Sequence, residues 1–418
     1  MAQYPSYKDS GFDWIGQIPS HWGLLKSKFL WRESFNTSAT GTEDLLSVSQ
    51  YDGVTHANGS RSESLVGYKV VEENNLVINI MLAWMGGLGV SAYNGLVSPA
   101  YCVYKLQGDN NPKYMHYLYK TPMYLAEFAR HSTGVIPSRW RMYTDDFGQV
   151  LTLIPPRKEQ DAMVAYLDAA TAKIDEAIAQ QQRMISLLNE RKSIIINHFV
   201  SKGLDPNAKL KDTGIDWMGL IPEHWQVCRI KAIGRSEHGI SYTPSDLTDE
   251  SGVIVLRASN IRDGKLCFED NVYVKRVKAS KFLKKNDILI CATNGSLSLV
   301  GKNALIDKSD SYSFGTFMLA LRTNQNQNFV RYQLGRVVDN YRGLFATTTI
   351  NQITQQVLGD IRITIPPLSE QLQIAIHLDD ITSKIDNAVY QQTRIINLLE
   401  ERKQIIINDV VTGKVQVV

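Results

Sequence analysis

The chain has 418 residues, 44% of them hydrophobic and 21% charged, which suits a folded protein of two or three domains and excludes a disordered or fibrous one. Its formal net charge of +3 fixes no partner but permits nucleic acid through local basic patches. The four cysteines (Cys102, Cys228, Cys267, Cys291) form no CxxC pair, which argues against a zinc ribbon or disulfide framework and fits a reducing cytoplasm.

The N-terminal stretch MAQYPSYKDSG carries no charged-then-apolar signal pattern. It leads into GFDWIGQIPSHW, Gly11 to Trp22, which returns as GIDWMGLIPEHW, Gly214 to Trp225. The recurrence of tryptophan, proline and histidine at fixed spacing marks an internal duplication. Next comes the longest apolar run, LVINIMLAWMGGLGV from Leu76 to Val90. It falls short of the roughly 20 residues a membrane helix needs and reads as a buried strand and turn.

A second, longer repeat starts at Ile154 and again at Ile365, an offset of 211, and 26 of its 47 positions are identical. Each copy opens on a proline pair, Pro155–Pro156 and Pro366–Pro367, which ends a strand without interrupting the helix that follows. Apolar residues then recur in strict 4,3 spacing. In the first copy the seam is Leu167, Thr171, Ile174, Ile178, Gln181, Ile185, Leu188, Lys192, Ile195 and Phe199. In the second it is Leu378, Thr382, Ile385, Val389, Gln392, Ile396, Leu399, Lys403, Ile406 and Val410. This is a coiled-coil seam, and a helix of about 40 residues would be roughly 60 Å long and leave that seam wet if alone. The short link SKGLDPNAKL between the copies implies antiparallel pairing of the two helices, with Gln181 and Gln392 near a pseudo-twofold axis. A second apolar stripe, Met184, Leu187, Ile194 and Ile395, Leu398, Ile405, either packs on the protein's own domains or docks another subunit.

The expected architecture is therefore α/β (mixed α+β): globular domains at 1–153 and 204–364 alternating with long helices at 154–203 and 365–418. The bodies share frame segments, NNLVINI with KNDILIC and DFGQVLTLIPP with VLGDIRITIPP, which read as short strands, but little else. The scaffold is duplicated and the presented surface is not.

Catalytic signatures are missing. GSLSLVGKN, Gly295 to Asn303, has five residues between its glycines rather than the four of a phosphate loop, and Asn303 stands where Ser or Thr is required. GGLGV at Gly86 is too short for a dinucleotide fingerprint. Neither the target-amine loop nor the glycine-rich cofactor loop of an adenine methyltransferase is present. The histidines show no metal spacing, and His21 and His224 beside the repeated tryptophans suit structural hydrogen bonding. The variable bodies instead offer side chains that read base edges or hold phosphates. In the first body these are Ser49, Gln50, Trp84, Arg130, Ser138, Arg139, Arg141 and Tyr143. In the second they are Arg257, Ser259, Asn260, Asn294, Ser296, Lys302, Arg342, Thr347, Thr348, Thr349, Asn351 and Gln352.

The duplicated DWIGQIPSHW/DWMGLIPEHW openings, the IPPRKEQ/IPPLSEQ starts and the LLNERKSIIIN/LLEERKQIIIN helices together resemble the specificity subunit of type I restriction–modification systems. The resemblance extends over essentially the whole chain. It implies that each variable body is a target-recognition domain for one half of a split, asymmetric double-stranded DNA site, and that the helices space the halves. It also implies two modification subunits, which methylate adenine from S-adenosylmethionine, and two restriction subunits, which use ATP and Mg; none of these cofactors would be bound by this chain. The repeated Trp14, Pro19, His21, Trp22 and Trp217, Pro222, His224, Trp225 sets are then scaffold that closes each domain on a helix end. The recognition subunit of a type IIB-like enzyme shares this layout. A partner-independent DNA-binding regulator and a coiled-coil adaptor without DNA binding are the alternatives.

Overall fold

The structure is a computed structural model that describes all residues except 1, 52, 58–63, 137–138, 346–350 and 418, and the side chains of 339 and 342–345. Its contacts divide the chain into two units: Met1–Arg183 with Thr393–Val418, and Met184–Gln392. Each unit thus holds one variable body, the start of one long helix and the end of the other. The long helices run Arg157–Lys202 and Leu368–Val411.

The first unit is built on a four-stranded antiparallel sheet in the order Trp31–Ser34, Tyr101–Leu106, Leu76–Asn79, Leu88–Val90. The second unit repeats it as Gly234–His238, Met318–Thr323, Ile288–Cys291, Asn303–Leu305. The run from Leu76 is a buried strand, a 3-10 turn and a second strand, as its apolar residues and glycines require. Each body closes with a two-stranded ladder just before its helix, Gly23–Lys26 on Leu151–Ile154 and Gln226–Arg229 on Arg362–Ile365. The frame segments read wholly as strands are only partly so. Thr144–Gln149 and Gln355–Asp360 are helical turns ahead of those last strands. Asp146 accepts from the Tyr143 N–H and Thr354 Oγ1 accepts from the Val357 N–H, and such local side-chain bonds nucleate a turn where apolar patterning alone suggests strand.

The repeated openings have a defined task. Trp22 is fully buried and donates its indole N–H to Glu159 Oε2 at 3.1 Å, while His21 Nε2 lies 2.5 Å from Glu159 Oε1. In the second unit Trp225 donates to Glu370 Oε1 at 3.1 Å and His224 Nε2 lies 2.8 Å from Glu370 Oε2. The next residue of each helix is a buried glutamine. Gln160 donates to the Pro155 carbonyl and accepts from the Asn111 N–H; Gln371 donates to the Pro366 carbonyl and accepts from the Asn326 N–H. The IPPxxEQ repeat is therefore a strand end, a turn, an acceptor for the tryptophan and a buried amide tie.

The same tryptophans receive the end of the other helix. Gly203 and Gly413, both at positive φ, terminate the two long helices against Trp225 and Trp22. A Cβ on Gly413 would lie 2.6 Å from Pro19 and 3.0 Å from Trp22, and one on Gly203 3.2 Å from Trp225, so only glycine fits there. Further ties are Tyr114 Oη to the Val411 carbonyl and Gln333 Nε2 to the Val200 carbonyl.

Within each unit the helix segments run antiparallel. Lys403 donates to Asp175 at 2.6 Å in the first unit, and Lys192 to Asp386 at 2.5 Å in the second, so both seam lysines meet an aspartate. Leu167, Thr171 and Ile174 are buried, as are Leu378, Thr382 and Ile385. Val410 is buried too, and the remaining apolar seam residues, Ile178, Ile185, Leu188, Ile195, Phe199, Val389, Ile396, Leu399 and Ile406, are half-buried. Gln181 belongs to the first unit and Gln392 to the second, both half-buried.

Replacing either buried tryptophan by alanine should cost about 3–5 kcal/mol, the usual loss for a large core aromatic. Glu159→Ala or Glu370→Ala should cost about 1–3 kcal/mol by leaving an indole N–H unpaired. Denaturant midpoints of the full chain check both, and a tryptophan variant as stable as wild type would show that the clasp is dispensable.

Candidate nucleic-acid interface

In each body two loops leave the central sheet side by side, held by an equivalent backbone bond. The Met142 N–H donates to the Ile80 carbonyl at 3.0 Å, and the Ile353 N–H to the Ala292 carbonyl at 2.8 Å. In the first unit this sets the turn Ala83–Met85 against the segment around Trp140, and the Trp84 and Trp140 rings meet at 5.3 Å with a 67° interplanar angle. Arg141 is locked by a two-way backbone bridge with Thr133. Trp84 Nε1 and Arg141 Nη1 are both buried without a hydrogen-bond partner among the described residues. Arg139 and Tyr143 are exposed on the same segment.

A third element joins them. Ser49 and Gln50 lie at the tip of the hairpin Leu46–Ser49/Gly53–His56, and Lys120 Nζ donates to both the Gln50 and the Gly86 carbonyls, fastening hairpin to turn. His116 sits beneath, its Nδ1 accepting from the Val90 N–H at 3.1 Å, and Gly53 and Gly89 close over its ring. Burial, reinforced by Lys120 and Lys113, lowers its pKa from 6.5 to about 4. Arg130 is apart from this group and bonded through two nitrogens to the buried carboxylate of Glu127.

In the second unit the two loops form a short ladder, Thr293–Asn294 on Asn351–Gln352. Asn351 Nδ2 donates to the Gly295 carbonyl, Asn294 Oδ1 accepts from the Ser296 N–H, and Ser296 and Gln352 are exposed. Asn260 is fully buried, its amide donating to the Cys267 and Asp270 carbonyls and to Asn271, so it organises its loop and presents nothing to solvent. Arg257 is drawn to Asp270, and Ser259 is exposed at the rim of a cleft that Lys302 also lines. Ser138, Thr347, Thr348 and Thr349 lie outside the described residues, as does the side chain of Arg342.

That cleft, about 1090 Å³, holds Lys192, which the sequence places in the helix seam, and four cations the sequence reading passed over: Arg262, Lys265, Arg331 and Arg336. A signal for two of them was present. The Asp263–Gly264 pair is a hairpin turn signature, and it places Arg262 and Lys265 on either side of the hairpin tip. Among the described residues no group of His, Cys, Asp and Glu could hold a metal ion, and no helix is long and apolar enough to cross a membrane.

A family model for the type I restriction modification DNA specificity domain matches residues 222–397. The chain resembles type I specificity subunits. It is 30% identical over 207 residues to the EcoKI specificity subunit of Escherichia coli (strain K12) and 29% identical over 206 residues to the StySPI specificity subunit of Salmonella potsdam. Each match spans 47% of this chain and 44% of the relative's own length, so less than half of either relative is covered. Among solved structures, a chain from work on complex assembly and conformational transition of the type I R-M system superposes with a TM-score of 0.70 at 15% identity, covering 95% of this chain and 99% of that one. The shared fold is that of the type I system chain, over nearly its whole length.

Because His116 is neutral and buried when folded, the unfolded chain takes up a proton first as pH falls. Stability should therefore be lost between about 6.5 and about 4. By pH 5 the loss from this residue is about 2 kcal/mol. Urea midpoints of wild type and His116→Gln at pH 7 and pH 5 check it, the variant showing the smaller drop.

Proposed function

We propose that this chain is the DNA-reading subunit of a type I restriction–modification complex, non-catalytic itself, with each body recognising one half of an asymmetric split site in double-stranded DNA. The observation that carries this reading is the loop pair: the same backbone bond on the same four-stranded frame presents aromatic and arginine side chains in one unit and amides and hydroxyls in the other. Arginine pairs bidentately with guanine and asparagine or glutamine with adenine in the major groove, so unlike loops specify unlike half-sites. The specificity-domain match and the relatives' names support the same assignment.

The paired helices act as the spacer, and their exposed stripe is the docking surface for two modification subunits. Met184, Leu187, Ile194, Ile395, Leu398 and Ile405 are all exposed, which favours docking over packing against the protein's own bodies. S-adenosylmethionine is held by the modification subunits, and ATP and Mg by two restriction subunits. The complex works in the cytoplasm.

The deciding experiment is to co-express the chain with its modification subunit in a methylation-free host and map N6-methyladenine. A split motif of two unlike halves around a fixed gap is expected. A continuous motif would overturn the two-reader reading, and a well-formed complex that methylates nothing would favour an adaptor.

Two further outcomes follow from the geometry. Arg141→Gln should relax one half-site only, by about 1–3 kcal/mol of base discrimination, and Asn351→Ala the other, each read from the methylation motif. Leu187→Asp with Leu398→Asp should leave the isolated chain's melting unchanged yet abolish co-purification with the modification subunit.

A further inference from the structure

The cleft of the second unit is walled by the end of the first long helix, the start of the second, the helix Gln327–Phe345 and the hairpin Ile261–Leu266. Six cationic side chains line it against three acidic ones, Asp263, Asp379 and Asp386. Arg262 is paired with Glu269, which lies outside the lining, at 2.9 Å, so the cleft keeps an excess of two cations.

The acids are largely engaged. Asp386 receives Lys192 at 2.5 Å and Lys265 at 3.2 Å, and Asp379 receives Tyr332 Oη at 2.8 Å and the Asn328 amide, with Arg331 at 3.9 Å. Lys302 and Arg336 have no carboxylate partner among the described residues. Lys302 Nζ donates to the Ile261 carbonyl at 3.0 Å. Arg336 rests over Trp217 at 5.7 Å and donates weakly to the Met218 carbonyl at 3.4 Å, while its Nη1 is buried with no acceptor.

We infer that this cleft is a phosphate site, separate from the loop pair that reads bases, which takes the phosphates of a DNA backbone or of a soluble polyphosphate. Its chemistry explains the loop Gly295–Asn303. In a nucleotide-hydrolysing loop a strand comes first and a helix follows, so that backbone N–H groups cradle the phosphate. Here a strand follows, Asn303–Leu305, and the loop delivers Lys302 to the cleft instead. The site binds phosphate through side chains and performs no hydrolysis. Since Leu299 of this loop lines the cleft while Asn294, just before the loop, pairs with Asn351, the loop is a partition between base reading on one side and phosphate holding on the other.

The test uses the full chain with metal-free tripolyphosphate and a duplex of arbitrary sequence. Tripolyphosphate should raise the melting temperature of wild type, and Lys302→Gln or Arg336→Gln should weaken its binding about tenfold. Arg262→Gln alters a largely exposed residue and serves if the other variants melt early; it too should weaken the effect. If the ligand is the DNA backbone, duplex displaces tripolyphosphate, and the salt slope of duplex binding falls by about one unit for each cation removed. If it is a soluble polyphosphate, tripolyphosphate binds without competing with duplex. The DNA arm rests on the proposed function, whereas the tripolyphosphate arm does not, so a chain that binds tripolyphosphate but no duplex keeps the site and loses that reading. Wild type unmoved by tripolyphosphate, with a salt slope the same in all variants, overturns the inference.

Discussion

Each body of this protein hangs on one carboxylate at the start of a long helix. Glu159 and Glu370 accept the indole N–H of a buried tryptophan and face a histidine, in the same geometry at two places 211 residues apart. A carboxylate in the first turn also lies where the helix dipole favours negative charge. The tryptophan thereby becomes a fixed floor on which the glycine-capped end of the other helix rests. Start and end of different helices are gripped by one residue, and the register of the seam follows. The lysine–aspartate pairs, Lys403 with Asp175 and Lys192 with Asp386, fall into line at equivalent positions because both ends are already set.

A frame held this firmly lets its loops differ. The central sheets share strand order and pairing sense, and the bond between the two loops recurs from Met142–Ile80 to Ile353–Ala292, yet the residues carried outward have almost nothing in common. Buried donors without acceptors among the described residues, at Trp84 and Arg141, are tolerated on such a frame at a cost of about 1–3 kcal/mol each because the sheet and clasp supply the stability. Sites that give up stability for binding belong at loops on a rigid scaffold.

What the sequence makes legible is what repeats or is periodic. The two openings, the helix seams and part of the frame strands are readable, since duplication exposes which residues the fold requires and 4,3 spacing exposes which face is covered; the turns Thr144–Gln149 and Gln355–Asp360 inside the frame segments are not. Contacts distant in sequence are not readable. Nothing near Lys192 announces Asp386, and a lysine in a seam looks like a flaw until its partner is seen. Composition also misleads within loops: Asn260 has the donors and acceptors of a base reader but satisfies them inside its own loop, and Arg130 is bound to Glu127. Lys192, Arg331 and Arg336 were hidden as a group for the opposite reason, lying on two helices that only the fold brings together with Lys302 and the Arg262–Lys265 hairpin.

The exposed stripe follows from helix geometry more than from any single residue. Ile185, Leu188 and Ile195 lie in the seam, and Met184, Leu187 and Ile194 are each one residue earlier, which on an α-helix is about 100° around the axis. The same offset separates Ile395, Leu398 and Ile405 from Ile396, Leu399 and Ile406. A two-stranded seam covers one stripe on each helix and cannot reach a second one a quarter-turn away. At about 25 cal/mol per Å² of apolar surface, several exposed large aliphatics in a row are worth several kcal/mol to whatever covers them. Both helices carry the stripe at equivalent positions, so the duplication presents the same uncovered apolar surface twice.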